Sequence, residues 1–163
     1  MAAWHDVCTT APELAAKVQA RFEAHGLGFL ATLRADGAPR ISGLEPAFLL
    51  DELWLAMMPD SRKAADLRRD GRFALHSASA DKAVEAGDAK VSGFAEEVTD
   101  AATIDAFSAA LVAATGLEAP GEAGQIGLFR ADVRELSFLI PAVDHLDIDI
   151  WREGAAPRTV QRY

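Results

Sequence analysis

Ser61-Arg62-Lys63 is the segment best suited to chemistry. It follows Pro59-Asp60, a helix-start signal in which Asp60 or Ser61 is the cap, and runs into Ala64, Ala65 and Leu67, read as an inward face. A helix start carries roughly half a positive charge, so two further cations there are unfavourable unless an anion lies between them. Backbone N–H groups, a hydroxyl, a guanidinium and an ammonium converging on one helix start make a phosphate site. The competing reading is a solvated basic turn, with Arg62 and Lys63 paired to Asp60 or Asp66. Arg40 is the second candidate. It shares a strand face with Ser42, from which a guanidinium can grip a phosphate bidentately or simply lie in solvent at a sheet edge. The third is the C-terminal stretch holding Trp151, Arg158 and Arg162. Trp and Arg together can cover a planar ligand and its charges, or the stretch is only a terminal hairpin.

Other chemistries find little support. His5, His25, His76 and His145 are widely separated, without metal-ligand spacing, so no metal site is expected. Cys8 is the single cysteine, which excludes an intramolecular disulfide and a Cys-rich zinc module and leaves it a bystander. Gly121-Glu122-Ala123-Gly124 follows no strand and opens no helix, so it is not read as a phosphate loop. No G-x-S-x-G occurs, which excludes an α/β-hydrolase. Trp4-His5 is assigned to a mobile tail, and Met57-Met58 to core packing. The net charge of −9 argues against a nucleic-acid partner. The longest apolar stretches are short, such as Ala47 to Leu50, whereas a spanning helix needs about 20 residues, so no membrane association is expected. No signal segment is recognised at the N-terminus, and a cytoplasmic location is expected. Against this acidic background the cations at Arg40, Arg62 and Lys63 stand out.

The elements that must position them follow from local signals. A first helix is expected from Thr10, with Glu13 completing a capping box and Leu14, Val18 and Phe22 forming its stripe; Gly26 stops it. Gly28 to Arg34 reads as a strand, Asp36-Gly37 as a hairpin turn, and Pro39 to about Leu50 as the returning arm. Asp51-Glu52 turns into a third strand, Leu53 to Met58. The helix Arg62 to Arg69 and the strand Arg72 to His76 come next, then a loop from Ser77 to Gly87. Ala89 to Val98 is a strand with Gly93 expected as a bulge. Thr99 or Asp100 caps a helix whose apolar face is Ile104, Phe107, Leu111 and Ala114, ending at Gly116, followed by a loop to Gly124. Three β-like runs complete the chain, Gln125 to Arg130, Val133 to Ile140 and His145 to Arg152, with a short arm from Pro157 to Arg162. Six to eight short strands and three helices without regular alternation point to a mainly β, α+β domain over residues 1–163: a small antiparallel barrel with peripheral helices.

The order of these motifs resembles the pyridoxamine 5′-phosphate oxidase-like, FMN-binding split-barrel family. The resemblance runs through Gly28–Leu33, the Asp-Gly hairpin, Arg40-x-Ser42, Leu53–Met58, Ser61-Arg62-Lys63, Leu67-Arg68-Arg69 and Arg72-Phe73-Ala74-Leu75, and covers about Pro12 to Tyr163. It implies a six-stranded antiparallel split β-barrel, a homodimer, and an FMN-dependent oxidoreductase acting on a small molecule. By position it implies that Arg40, Ser61, Arg62 and Lys63 hold the FMN phosphate. Ile41 and Ser42 would meet the flavin ring through the backbone, and Ala56 and Met57 would lie beside the ribityl chain. Trp151 and Arg162 would reach the flavin from the partner subunit, and Arg158 would lie near the substrate. Glu45 departs from the family pattern, because true pyridoxamine phosphate oxidases carry a Lys there and an acid repels a phosphorylated substrate. Their Tyr/Arg/Ser substrate-phosphate set is also missing from Asp105–Gly116, so vitamin B6 oxidation is not implied. The family includes F420-using and haem-binding members, which leaves two alternatives. One is an F420-dependent enzyme with Arg68, Arg69 and Arg72 lining a groove for the acidic tail; the other is a non-catalytic flavin- or haem-binding module.

Overall fold

The computed structural model describes residues 2–78, 81–116 and 125–163. Among these residues the chain forms nine strands and four helices: α1 Trp4–Thr10, α2 Pro12–Glu23, β1 Gly28–Leu33, β2 Pro39–Leu44, β3 Pro46–Leu49, β4 Glu52–Met57, α3 Arg62–Arg69, β5 Arg72–Ser77, β6 Asp88–Val98, α4 Ala101–Thr115, β7 Gly127–Pro141, β8 Leu146–Arg152 and β9 Arg158–Arg162. Every strand pair is antiparallel. The sheet runs β2-β1-β5-β6-β7-β4-β3, and β8 and β9 branch from β7. β6 lies along one edge of β7 for most of its length, while the other edge passes from β4, at Gly127 to Arg130, to β8, at Glu135 to Pro141. That handover splits the barrel. The sheet does not close: β2 and β3 are its two ends, joined by the chain at Glu45 rather than by a ladder.

Local chemistry accounts for most of these elements. Gly37 at φ +82° supplies the left-handed residue that the β1–β2 hairpin turn requires. Ser61 caps α3 by accepting from the Ala64 N–H, and Asp100 caps α4 by accepting from Thr103. The main core gathers α2 residues Leu14, Val18 and Phe22 onto Leu30, Leu53, Leu75, Val91, Phe129 and Leu136. A second core seats α4 on the outer side of the β4 end, with Phe107 against Trp54 at 5.6 Å. Gly93 sits at a register shift between β6 and β7, where the extra residue, Arg134, belongs to β7. A Cβ on Gly93 would lie 2.0 Å from the Asp132 carbonyl oxygen, so the strands meet there only through glycine.

The structure departs from the sequence reading in particular places. Trp4-His5 is no tail. It opens α1, with Trp4 buried against Phe48 and the His5 N–H donating to the Asp51 carbonyl. Thr10 consequently ends α1, its hydroxyl donating to the Asp6 carbonyl, and Ala11 occupies the cap of α2 without a side-chain bond. The single arm from Pro39 becomes β2 and β3, broken at Glu45. The following turn is centred on Leu50 and Asp51, both left-handed at φ +54° and +61°, one residue earlier than expected. The two runs around Val133 are one strand, β7. Ala65 faces solvent and Asp66 takes the buried place, because the buried stripe of α3 is Ala64, Asp66 and Leu67. The strand count among the described residues is nine rather than six to eight: the division of the Pro39 arm adds one, the joining of the two runs into β7 removes one, and the short C-terminal arm is a full strand, β9. The loop expected over 117–124, including Gly121-Glu122-Ala123-Gly124, lies outside the described residues. Among the described residues no helix is long and apolar enough to cross a membrane.

Candidate functional site

Helix α3 is laced to strand β2 by two residues one turn apart. The Lys63 ammonium donates to the Gly43 carbonyl at 2.6 Å, and Arg40 Nε donates to Asp66 Oδ2, also at 2.6 Å. Advancing three residues along the helix thus retreats three along the strand. Asp66 is buried and also accepts from the Thr32 hydroxyl at 2.9 Å and from Arg69 at 3.2 Å. Burial pushes its carboxyl up, but the bonds from Arg40, Thr32 and Arg69 outweigh burial and leave it below the ordinary value. Arg40 and Lys63 are therefore anchored three residues apart along β2, with the exposed Arg62 and the Ser61 cap at the adjoining helix start.

β2 also presents backbone. Its hairpin closes with the Arg34 N–H donating to the Ala38 carbonyl, and antiparallel partners alternate between facing each other and facing away. On that register Arg40, Ser42 and Leu44 direct their backbone groups to β1. Ile41 and Gly43 direct theirs to the free edge of the sheet, where Gly43 meets Lys63. The two residues expected to offer backbone groups thus differ: Ile41 offers them at the edge and Ser42 does not.

Neither expected counter-ion reaches Arg62 or Lys63. Arg62 and Lys63 make no ion pair with Asp60 or Asp66 among the described residues; Asp66 is taken by Arg40 and Arg69. Burial pushes the Lys63 ammonium below its usual range, partly offset by the Glu45 carboxylate nearby. A half-buried cation whose hydrogen-bond partner is a neutral carbonyl favours an incoming anion. The other arginines of the region are satisfied: Arg68 by Glu97, Arg69 by Asp66 and the Leu33 carbonyl, and Arg72 by Asp70.

Two cavities adjoin the clamp. A smaller one of about 280 Å³ is lined by Leu27, Gly43, Leu44, Glu45, Ala56 and Lys63. A larger one of about 670 Å³ lies between α4 and the β3–β4 hairpin and shares Glu45 and Ala56 with the first. Met57 lines the larger cavity. The C-terminal residues are elsewhere. Trp151 is 3% exposed within the main core of its own chain, Arg162 is exposed on β9, and Arg158 lines a third cavity with Lys17 and Asp149. Of the expected residues, Ala56 and Lys63 line the smaller cavity and Met57 the larger, Ser61 and Arg62 stand at the start of α3, Arg40 is tied to that helix through Asp66, and Ile41 lines a separate cavity with Phe29 and His76. Trp151, Arg158 and Arg162 stay apart within the single chain. Asp66, Gly43 and the cavity walls were not foreseen as parts of the site. Only the acid three residues after Lys63 hinted at Asp66, and an acid there reads equally well as a solvated helix residue.

An open antiparallel barrel in which one strand edge passes from β4 to β8 is a split barrel. The chain belongs to the pyridoxamine 5′-phosphate oxidase family, whose sequence profile matches residues 14–139. Among solved structures, PhzG from Burkholderia lata 383, in complex with tetrahydrophenazine-1-carboxylic acid, is 17% identical with a TM-score of 0.67 over 95% of this chain and 90% of that one. A pyridoxamine 5′-phosphate oxidase-related, FMN-binding protein from Nostoc punctiforme PCC 73102 is 13% identical with a TM-score of 0.66, covering 94% and 96%. An F420 reductase is 21% identical with a TM-score of 0.54, covering 68% and 88%. At these identities the likeness concerns the fold. No curated protein matches the sequence significantly.

Proposed function

We propose that this chain binds FMN and acts as a flavin-dependent oxidoreductase on a small molecule. The observation that carries the reading is Lys63, half-buried and bonded to a neutral carbonyl of β2, the strand that also carries Arg40, and adjacent to the exposed Arg62, in a protein of net charge −9. The donor set fits a phosphate monoester. Arg62 and Lys63 lie in the first turn of α3, where backbone N–H groups have no partner within the helix. The Ser61 hydroxyl accepts from Ala64 and keeps its own proton to donate. Arg40 is steadied through Nε by Asp66, which leaves its Nη groups to the ligand. Ile41 offers backbone groups to the edge of a planar ring, and Ala56 and Met57 would flank the sugar-alcohol chain. Bound FMN supplies hydride transfer at its ring; the chain binds, orients and shields it. No acid or base is required of Arg40, Arg62 or Lys63 in this reading.

The FMN-binding relative and the F420 reductase share this fold. Charge favours FMN. Of the groove residues a polyanionic tail would need, Arg68 and Arg72 are each paired with a carboxylate of their own, and Arg69 shares Asp66 with Arg40 and is bonded to the Leu33 carbonyl. A homodimer belongs to the proposal. The outer face of β2-β1-β5 leaves Phe29 at 44% and Ile41 at 74% exposure around a shallow apolar cavity of about 330 Å³. In such a dimer the exposed Arg158 and Arg162 of β9 would be free to reach the partner's groove, whereas Trp151, buried in its own core, would act only by supporting β8.

The test is fluorescence titration of FMN into the apoprotein and into Arg62→Ala/Lys63→Ala. Two charge-assisted contacts are worth about 1.5–3 kcal/mol each, so affinity should fall by at least about two decades. Unchanged affinity would remove the clamp. Parallel titration with F420 should give binding at least tenfold weaker than FMN. Anaerobic reduction by a nicotinamide followed by steady reoxidation separates an enzyme from a binding module, which would not turn over.

A further inference from the structure

We infer that the large cavity beside the clamp takes an apolar cation, such as a hydrophobic amine, as the substrate of this protein; the inference rests on the cofactor reading above. The cavity, about 670 Å³, is the size of a site for a small organic molecule. Its walls are apolar, with Phe48, Leu49, Met57, Phe107, Leu111 and Ile126 contributing from β3, β4, α4 and the start of the C-terminal sheet. The described residues lining it include no Lys or Arg. Its ionisable groups are Glu45, Glu23 and His25.

Their placement separates charge. Glu45 stands at the chain break between β2 and β3 and lines both cavities, so it marks the junction between the clamp and the apolar space. Lys63 lines only the smaller cavity and is held to β2 through the Gly43 carbonyl. Glu45 makes no ion pair within 4.0 Å among the described residues, although its charge is felt at Lys63. Glu23, also in the lining, accepts among the described residues from the neutral Gln19 amide at 2.8 Å. An anion entering this space would meet two carboxylates and, among the described residues, no Lys or Arg. An ammonium on an apolar body would set its charge against Glu45 and bury the rest against the aromatic and aliphatic walls. The cationic groove and the acidic cavity therefore select ligands of opposite charge a few residues apart.

Calorimetry with 2-phenylethylammonium and 3-phenylpropionate tests this on the full chain, with and without saturating FMN. These probes share an apolar body and differ in the sign of the head group. The parent should bind the ammonium about tenfold or more tighter than the carboxylate, and Glu45→Lys should reverse that order. Glu45 is exposed, so the substitution leaves the core intact. Equal or tighter binding of the carboxylate by the parent, or an order unmoved by Glu45→Lys, would overturn the inference. If FMN binds and the ammonium preference is absent, the inference alone falls. If the preference is present and FMN does not bind, the cavity assignment stands and the cofactor reading falls.

Discussion

Replacing Asp66 by Asn keeps the volume of the side chain and removes the charge that organises the clamp. The wild-type carboxylate accepts from Arg40, Thr32 and Arg69 at 2.6, 2.9 and 3.2 Å. Arg40 is mostly enclosed at 23% side-chain exposure, so its bond keeps most of its strength; Arg69, at 39%, is screened by solvent and adds little. Exchanging a charge-assisted bond for a neutral one, and turning an amide N–H₂ toward at least one of these donors, should cost about 2–3 kcal/mol. For a domain of this size that lowers Tm by roughly 4–12 °C. The pH dependence carries a second signature. The Asp66 carboxyl lies below its ordinary value in the folded chain, so its contribution is complete above the unfolded pKa of about 3.9 and is lost as pH falls through the folded value. The gap between parent and variant should therefore be constant from about pH 5 to 7 and shrink below pH 4. Thermal and urea denaturation followed by circular dichroism measure both. A Tm within 1–2 °C of the parent at pH 7, or a gap that widens towards pH 3, would refute the argument that Asp66 anchors Arg40 as a buried carboxylate.

Three further outcomes are expected. Gly93→Ala should destabilise by at least about 2 kcal/mol, because its Cβ would meet the Asp132 carbonyl oxygen at 2.0 Å and backbone must move; an unchanged urea midpoint would contradict the close approach of β6 and β7. Phe107→Ala should cost about 3–5 kcal/mol and loosen α4 from Trp54, seen as lower cooperativity and greater amide exchange over 101–115. FMN affinity should begin to fall, as pH rises, before the usual lysine pKa of about 10.4 is reached, since burial already disfavours the Lys63 ammonium. Lys63→Arg, whose charge persists, should flatten that alkaline limb; a limb unchanged by the substitution would assign it to another group.

The sequence was informative wherever a contact is local. The Asp36-Gly37 hairpin, the Ser61 and Asp100 caps and the stop at Gly116 depend on dihedral preferences or hydrogen bonds within a few residues, and each is present. The capping box at Thr10 failed for a reason that is itself tertiary. Burial of Trp4 against Phe48 and the bond from His5 to the Asp51 turn extend helix upstream, so Thr10 closes α1 instead of opening α2. Residue types likewise singled out Arg40, Arg62 and Lys63, since cations gathered in an acidic chain need a reason.

Their partners were another matter. Lys63 meets a carbonyl 20 residues away, and Arg40 meets an acid 26 residues away. Which residue of α3 turns inward, Ala65 or Asp66, is decided by how the helix sits on β1 and β2, and a helical period alone allows either. The free edge of β2, the gap between β2 and β4 and the cavity under α4 exist because β7 passes one edge from β4 to β8 and the sheet fails to close. Side-chain chemistry and turn preferences are written residue by residue. The register and docking that bring opposite charges into separate cavities are properties of the assembled sheet, fixed only when distant segments bury their apolar faces together.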